Sequence, residues 1–329
     1  MFPKMITAAM MAASLLASSA ASAKELKLAD FHPSTHFVLE KVFKPFGEAV
    51  AAGTDGQVTL KTYMGGELGP GPAEQYNRAV DGVADLAFSL PGYTASTFPL
   101  TLLAELPGVI DAENGTESLI AAQDLLAKEY RRAKLVSLWI NQPNVLFSAN
   151  KPIRTLEDLK GMKIRVPSRN AGLVVEAWGG VPVSMPASDV YNSMQTGVID
   201  GAMIDTTTLQ AFRLAEVTKY ITVGMDTSIS QFFLVMNRDS FNELSEDQQK
   251  VVLEAGQDAA RNGHKAWAEV ATSALEGFAK TEGKELITLS DDEIAKFNAA
   301  SAEAVDKVIA EVEATGAPAR AYVEALKND

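Results

Sequence analysis

Residues 158–220 constrain the fold most tightly, because short apolar runs alternate there with helical segments and Pro or Gly marks the boundaries as far as Gly201. The β-prone run 162–166 is stopped by Pro167, and a helical segment follows up to Gly179-Gly180. A second apolar run, 181–183, precedes a helix over 188–196 that Gly197 ends, and a third occupies 198–204. Strand and helix in alternation make a parallel α/β lobe. Arg165 falls at the carboxyl end of its strand, the end that faces the ligand crevice in open α/β sheets. A guanidinium there can hold a carboxylate through two parallel, charge-assisted hydrogen bonds.

The amino-terminal half repeats the alternation. Residues 26–29 read as a first strand, 30–35 as a loop and 37–52 as an amphipathic helix. A strand at 57–63 runs into the turn-rich Gly65-Gly-Glu-Leu-Gly-Pro-Gly-Pro72, followed by a helix to Gly82 and a strand over 84–90. The Gly-rich stretch lacks the Lys-Ser/Thr of a phosphate loop. A strand at 135–140 leads through 141–144 toward a second lobe, with the first crossing placed near Phe147 and the return within 225–236. Ser245 and Gln248 form a capping box opening a long helix to about Phe278, and Ser290 with Glu293 opens a terminal one.

The chain has 329 residues, 47% of them hydrophobic, enough for more than one lobe. It has no Cys, which excludes disulfides, thiolate nucleophiles and Cys-ligated zinc. Net charge is −13, which argues against nucleic acid as a partner. Lys4, the apolar run 5–17 and Ala21-Ser-Ala23 read as an export signal over 1–23.

The motifs Asp158-Leu-Lys-Gly161, Lys163-Ile-Arg-Val-Pro167, Met185-Pro186, Asp189-Val-Tyr191, Gln195-Thr-Gly-Val-Ile-Asp-Gly201 and Glu216-Val-Thr-Lys-Tyr220 stand in order. In them the chain resembles the solute-binding proteins of tripartite ATP-independent periplasmic (TRAP) transporters, the DctP-like family. The resemblance implies a two-lobed α/β periplasmic binding protein with a hinge and a long lobe-spanning helix. The expected division is 24–147 plus 235–272 for lobe I and 148–234 plus 273–329 for lobe II. It implies capture of a small organic anion and delivery to membrane permease subunits; no cofactor and no metal-ligand residues are expected, and whether a metal ion bridges ligand to protein, as in some relatives, stays open.

The resemblance also implies a site. Arg165 pairs with the ligand carboxylate, and Ser168 follows it. Phe31 or His32 lines the site from the first loop. Glu67 stands where the family has Gln. In the stretch after Ser89, Leu90 replaces an acid and Tyr93 an arginine of sialic-acid-type members. Asn144 replaces a second arginine. Met203 and Ile204 replace an acid and an amide, ahead of Asp205, and Phe232 adds aromatic surface. With the carboxylate anchor kept and polar groups lost, the ligand expected is a monocarboxylate with an apolar or aromatic body. His36 and His264 have no matching acid by spacing. The competing expectation is a secreted α/β enzyme acting on a small carboxylic acid, with Asp205 or His32 as base; a sensor partner shares the same fold.

Overall fold

The computed structural model describes residues 23–327. All but the last residue of the expected export signal lies outside them. Two sheets organise the chain. The first has the order β2 (Val58–Tyr63), β1 (Lys24–Ala29), β3 (Leu86–Ser89), β10 (Gln231–Asn237), β4 (Ala133–Ile140). β1 runs parallel to β2 and β3, whereas β10 is antiparallel to β3 and β4. The second has the order β11 (Glu285–Thr288), β9 (Tyr220–Val223), β5 (Val145–Ser148), β8 (Gly201–Ile204), β6 (Lys163–Val166), β7 (Val181–Ser184). β6 is parallel to β7 and β8, as the strand–helix alternation requires, and β5 is antiparallel to β8 and β9.

Each sheet carries apolar layers on both faces, which accounts for the near-continuous apolar runs of β4 and β10. In β8 the two-residue period sorts neighbours to opposite faces: Met203 enters one core cluster, Ala202 and Ile204 the other.

The two crossings lie side by side. The chain leaves β4 and enters β5 through 141–144, and returns from β9 to β10 through 224–230. The Asn141 amide donates to Ser230 O at 2.9 Å and the Asn144 amide to Ser228 O at 3.0 Å. The boundaries expected from sequence, 147/148 and 234/235, therefore fall inside β5 and β10, where strand pairing holds the chain firmly to one sheet.

The helix α8 (Glu246–Ala279) spans both lobes; at 1.5 Å per residue its 34 residues extend ~51 Å. Its start is the expected capping box, with the Gln248 amide on Ser245 Oγ at 3.2 Å and the Ser245 amide on Gln248 Oε1 at 3.1 Å. Two glycines let it lie close against β4. A Cβ at Gly256 would stand 2.3 Å from Val136 O, and one at Gly263 2.6 Å from Trp139 Nε1. Farther on, Ala271 O accepts from Thr206 Oγ1 at 2.7 Å, and Ala274 and Phe278 join a core cluster of the second lobe.

The carboxyl terminus departs from the expected division. Phe297 of the following long helix (Asp291–Glu313) packs in the second lobe, but its Val308, Ile309 and Val312 belong to a first-lobe core. The last helix, Ala319–Lys327, buries Ala319, Tyr322, Val323 and Leu326 in that same core. Those positions form one helical stripe, and the first lobe offers the apolar surface that covers it.

Candidate functional site

Between the sheets lies a narrow crevice lined by residues of both lobes. β6 delivers Arg165 to it from the second lobe. Arg165 is 2% exposed, and its guanidinium is held by backbone carbonyls: Nε donates to Met185 O at 2.9 Å and Nη1 to Met203 O at 3.3 Å. Nη2 is buried with no hydrogen-bond partner. No carboxylate among the described residues comes within ion-pair distance of it. Burial works against its charge, and the Tyr93 hydroxyl beside it, with the more distant carboxylates of Asp205 and Asp189, offsets part of this.

The Tyr93 hydroxyl accepts the Ala187 amide at 3.0 Å, tying a first-lobe loop to the second lobe beside the guanidinium. Burial pushes the Tyr93 hydroxyl above its ordinary pKa. Asp205 is a wall group whose oxygens are already engaged. Oδ1 accepts the Thr207 amide at 3.0 Å and the Thr207 hydroxyl, and Oδ2 accepts Asn141 Nδ2 at 3.2 Å. Burial raises its pKa above the usual carboxylate range. Asn144 Nδ2 in turn donates to Ser228 Oγ at 2.9 Å and to Ser230 Oγ at 3.3 Å, and the Ser230 amide donates to Asn141 Oδ1 at 2.8 Å. The polar wall, built on the two crossing segments, thus satisfies itself.

The rest of the wall is aromatic. Phe31 meets Tyr93 edge-on at 6.2 Å between ring centroids, and Phe232 packs on Trp267 of α8 at 4.6 Å. Phe212 closes the crevice from the second lobe, 5.7 Å from the His32 ring.

The loop after β1 brings Asp30, His32 and His36 together. His32 Nδ1 lies 2.9 Å from Asp30 Oδ1, and the two imidazoles are 4.0 Å apart. Burial lifts Asp30 to about 7 and drives His32 down to about 3 and His36 to about 2. The expectation that His36 had no acid nearby is corrected: the turn at 33–36, closed by the His36 amide on Pro33 O, folds it back over the loop.

The family model for bacterial extracellular solute-binding protein family 7, DctP, matches residues 28–311. The chain is a TRAP solute-binding protein of the DctP family. Solved structures of similar proteins include an aromatic-acid-specific TRAP solute-binding protein from a marine metagenome, in complex with 3-hydroxybenzoate. It is 27% identical, with a TM-score of 0.86 over 93% of this chain and 97% of that one. Another, from Bordetella bronchiseptica with bound mandelate, is 26% identical with a TM-score of 0.83, over 92% and 97% of the two chains. A curated relative, the ectoine/5-hydroxyectoine-binding periplasmic protein of Ruegeria pomeroyi, is 26% identical over 86% of this chain and 84% of its own.

In this TRAP protein, Arg165, Phe31, His32, Leu90, Tyr93, Asn144, Ile204, Asp205 and Phe232, nine of the residues named from sequence, line the crevice. Four expected residues do not. Glu67 is exposed in the Gly-rich turn. Ser89 is buried and donates to Pro72 O at 2.8 Å. Ser168 caps the helix α4 (Arg169–Ala177), accepting the Ala171 amide at 3.1 Å. Met203 points its side chain into the core on the far face of β8 and offers only its carbonyl to Arg165.

Sequence reasoning missed Asn141, Pro167, Thr207, Phe212 and Trp267 in the lining. Asn141 stood in the marked crossing loop and Pro167 beside Arg165, so proximity to known features was a usable signal. Phe212 and Trp267 lie far along the chain and carried none. No helix among the described residues is long and apolar enough to cross a membrane, and no group of three or more His, Cys, Asp or Glu among them, the Asp30–His32–His36 cluster included, is arranged to hold a metal ion.

Proposed function

We propose that this protein captures a small monocarboxylate with an aromatic body in the periplasm and hands it to TRAP membrane permease subunits, without acting as an enzyme. One observation carries the reading: the buried Arg165 guanidinium has a free Nη2 and no ion-pair partner. An unpaired buried charge is costly, and a ligand carboxylate arriving between the lobes relieves that cost. Two backbone carbonyls already orient the guanidinium plane, so little order is lost on pairing.

Two features support the aromatic body. Phe31, Tyr93, Phe212, Phe232 and Trp267 supply ring surface, and the polar wall of Asn141, Asn144 and Asp205 spends its hydrogen bonds internally. A polyhydroxylated ligand would find few free partners there, and each hydroxyl left unpaired costs ~1–3 kcal/mol. The relatives that bind 3-hydroxybenzoate and mandelate agree with this reading, although the ectoine-binding relative shows that the family is not confined to aromatic ligands. Of the two bases open to the enzyme reading, His32 is kept neutral by burial down to about pH 3, which makes it a poor proton acceptor at neutral pH, and Asp205 has both carboxyl oxygens engaged by Thr207 and Asn141.

The test is a thermal-shift screen of benzoate, phenylacetate, mandelate, aliphatic acids and uronates, followed by calorimetry and recovery of the compound. Stabilisation by an aromatic acid that is recovered unchanged is the expected result. Turnover, or stabilisation by uronates alone, overturns the reading.

A further inference from the structure

His32 and His36 close one part of the crevice wall, each 4% exposed. Their hydrogen bonds fix which nitrogen carries the proton. Asp30 Oδ1 accepts the Phe31 amide at 2.8 Å and faces His32 Nδ1 at 2.9 Å. A proton on Asp30 goes to Oδ2, the oxygen without a partner, so Oδ1 remains an acceptor in either state. His32 therefore holds its proton on Nδ1 and presents a bare lone pair at Nε2.

His36 is the opposite. Its Nδ1 accepts the Val38 amide at 3.1 Å, so the neutral ring carries its proton on Nε2. Neither Nε2 has a hydrogen-bond partner in the chain, and neither is sealed from open space. Burial keeps both rings neutral near pH 7, which preserves the arrangement. The wall thus presents one acceptor and one donor on neighbouring, tilted rings whose centroids are 4.0 Å apart.

We propose that this pair is a hydroxyl-recognition subsite: a ligand hydroxyl donates to His32 Nε2 and accepts from His36 Nε2–H. A hydroxyl is the simplest group that donates and accepts at a single atom. A second carboxylate could not donate to His32, and an ammonium could not accept from His36. The inference rests on the aromatic-carboxylate reading and deepens it: the ligand is a hydroxylated aromatic acid, anchored at Arg165 and read at a second polar point by the two histidines.

The test is calorimetry on the full chain with benzoate and phenylacetate, their monohydroxy isomers, and the matching methyl ethers. The expected result is that at least one hydroxy isomer binds about tenfold more tightly than its parent, the size that one or two net hydrogen bonds give. Its methyl ether, which can accept but not donate, loses the gain. His32→Phe and His36→Phe keep the ring packing and bring the ratio of hydroxy to parent acid toward one.

A wild type that binds the parent acids but gains nothing from any hydroxyl overturns the subsite alone. So does a ratio that survives in both variants. A wild type that binds no member of the panel overturns the aromatic-carboxylate reading and the subsite with it. The wild-type ratio stands by itself should a variant fold poorly.

Discussion

The Glu105 carboxyl of the first lobe accepts a hydrogen bond from the Ser168 hydroxyl, which itself caps the amino terminus of α4 in the second lobe. Nearby, Asn170 Nδ2 donates to Leu102 O at 3.1 Å, and a Cβ at Gly92 would stand 3.0 Å from Pro167 O. The lobes therefore meet through a buried acid set against a helix end, one residue beyond the Pro that follows the strand of Arg165.

Burial raises Glu105 from the usual 4.5 to about 8, against smaller opposing contributions from the Ser168 hydroxyl and the Ala171 amide. The folded state therefore holds a proton that the unfolded chain releases. Stability falls as pH rises from about 4.5 toward about 8 and levels off above it. Glu105→Gln keeps an acceptor for Ser168 and removes the titration. The melting temperature of the variant should gain on the wild type steadily between pH 5 and pH 8, and parallel curves would sink the assignment.

Arg165→Ala should weaken binding of the cognate acid by at least ~30-fold, since removing one partner of a buried charge pair costs upwards of ~2 kcal/mol. Arg165→Lys should recover only part of the loss, because the ammonium lacks the planar fork that Met185 O and Met203 O hold in place. Calorimetry on the three proteins decides, and an unchanged affinity in the Ala variant would remove the anchor from Arg165.

Gly263→Ala tests the seating of α8. Its Cβ would lie 2.6 Å from Trp139 Nε1, and Trp139 is fully buried between Phe88, Phe232 and Trp267. Overpacking of this kind costs ~1–3 kcal/mol. Denaturant titration should show a lowered midpoint, and ligand affinity should fall as Trp267 shifts in the crevice wall. A stability equal to wild type would mean that the helix is not held at this distance.

In competition, a phenyl-substituted acid should outbind a polyhydroxy acid of similar size by at least about tenfold, the effect of one unpaired buried hydroxyl. The wall that enforces this is Leu90, Ile204 and Phe232, with the polar groups of Asn141 and Asp205 already paired to each other. Displacement of a bound aromatic acid by a uronate at equal concentration would overturn the apolar reading of the wall.

A conformational expectation follows from the two side-by-side crossings. A ligand that bridges Arg165 of one lobe and the aromatic rings of the other favours the closed arrangement. Small-angle scattering should show a smaller radius of gyration with ligand than without, and matching profiles with a demonstrably open unliganded state would count against hinge closure.

Much of the protein was legible in the order of its residues. Strand and helix alternation, with Pro167, Gly179 and Gly197 as punctuation, specified the parallel core of the second lobe, because local periodicity and breakers act through nearest neighbours. The capping box at Ser245 and the N-cap at Ser290 located the starts of the two long helices for the same reason, although the Glu293 carboxylate expected to complete a box at Ser290 accepts the Leu156 amide instead. Arg165 was found because its strand end, and so its crevice, could be read within a few residues.

The remainder depended on contacts between segments distant in sequence. Whether β10 pairs with the first sheet or the second, and which lobe buries the last helix, are settled by which surface is left uncovered, not by the segments themselves. Met203 and Ile204 are adjacent, equally apolar and equally eligible for the wall; the pleat sends one inward and one to the crevice, and only the pairing of β8 with β5 and β6 sets that phase. Phe212 and Trp267 reach the site because the chain returns past it, and the proton positions on His32 and His36 follow from partners that only the folded turn supplies.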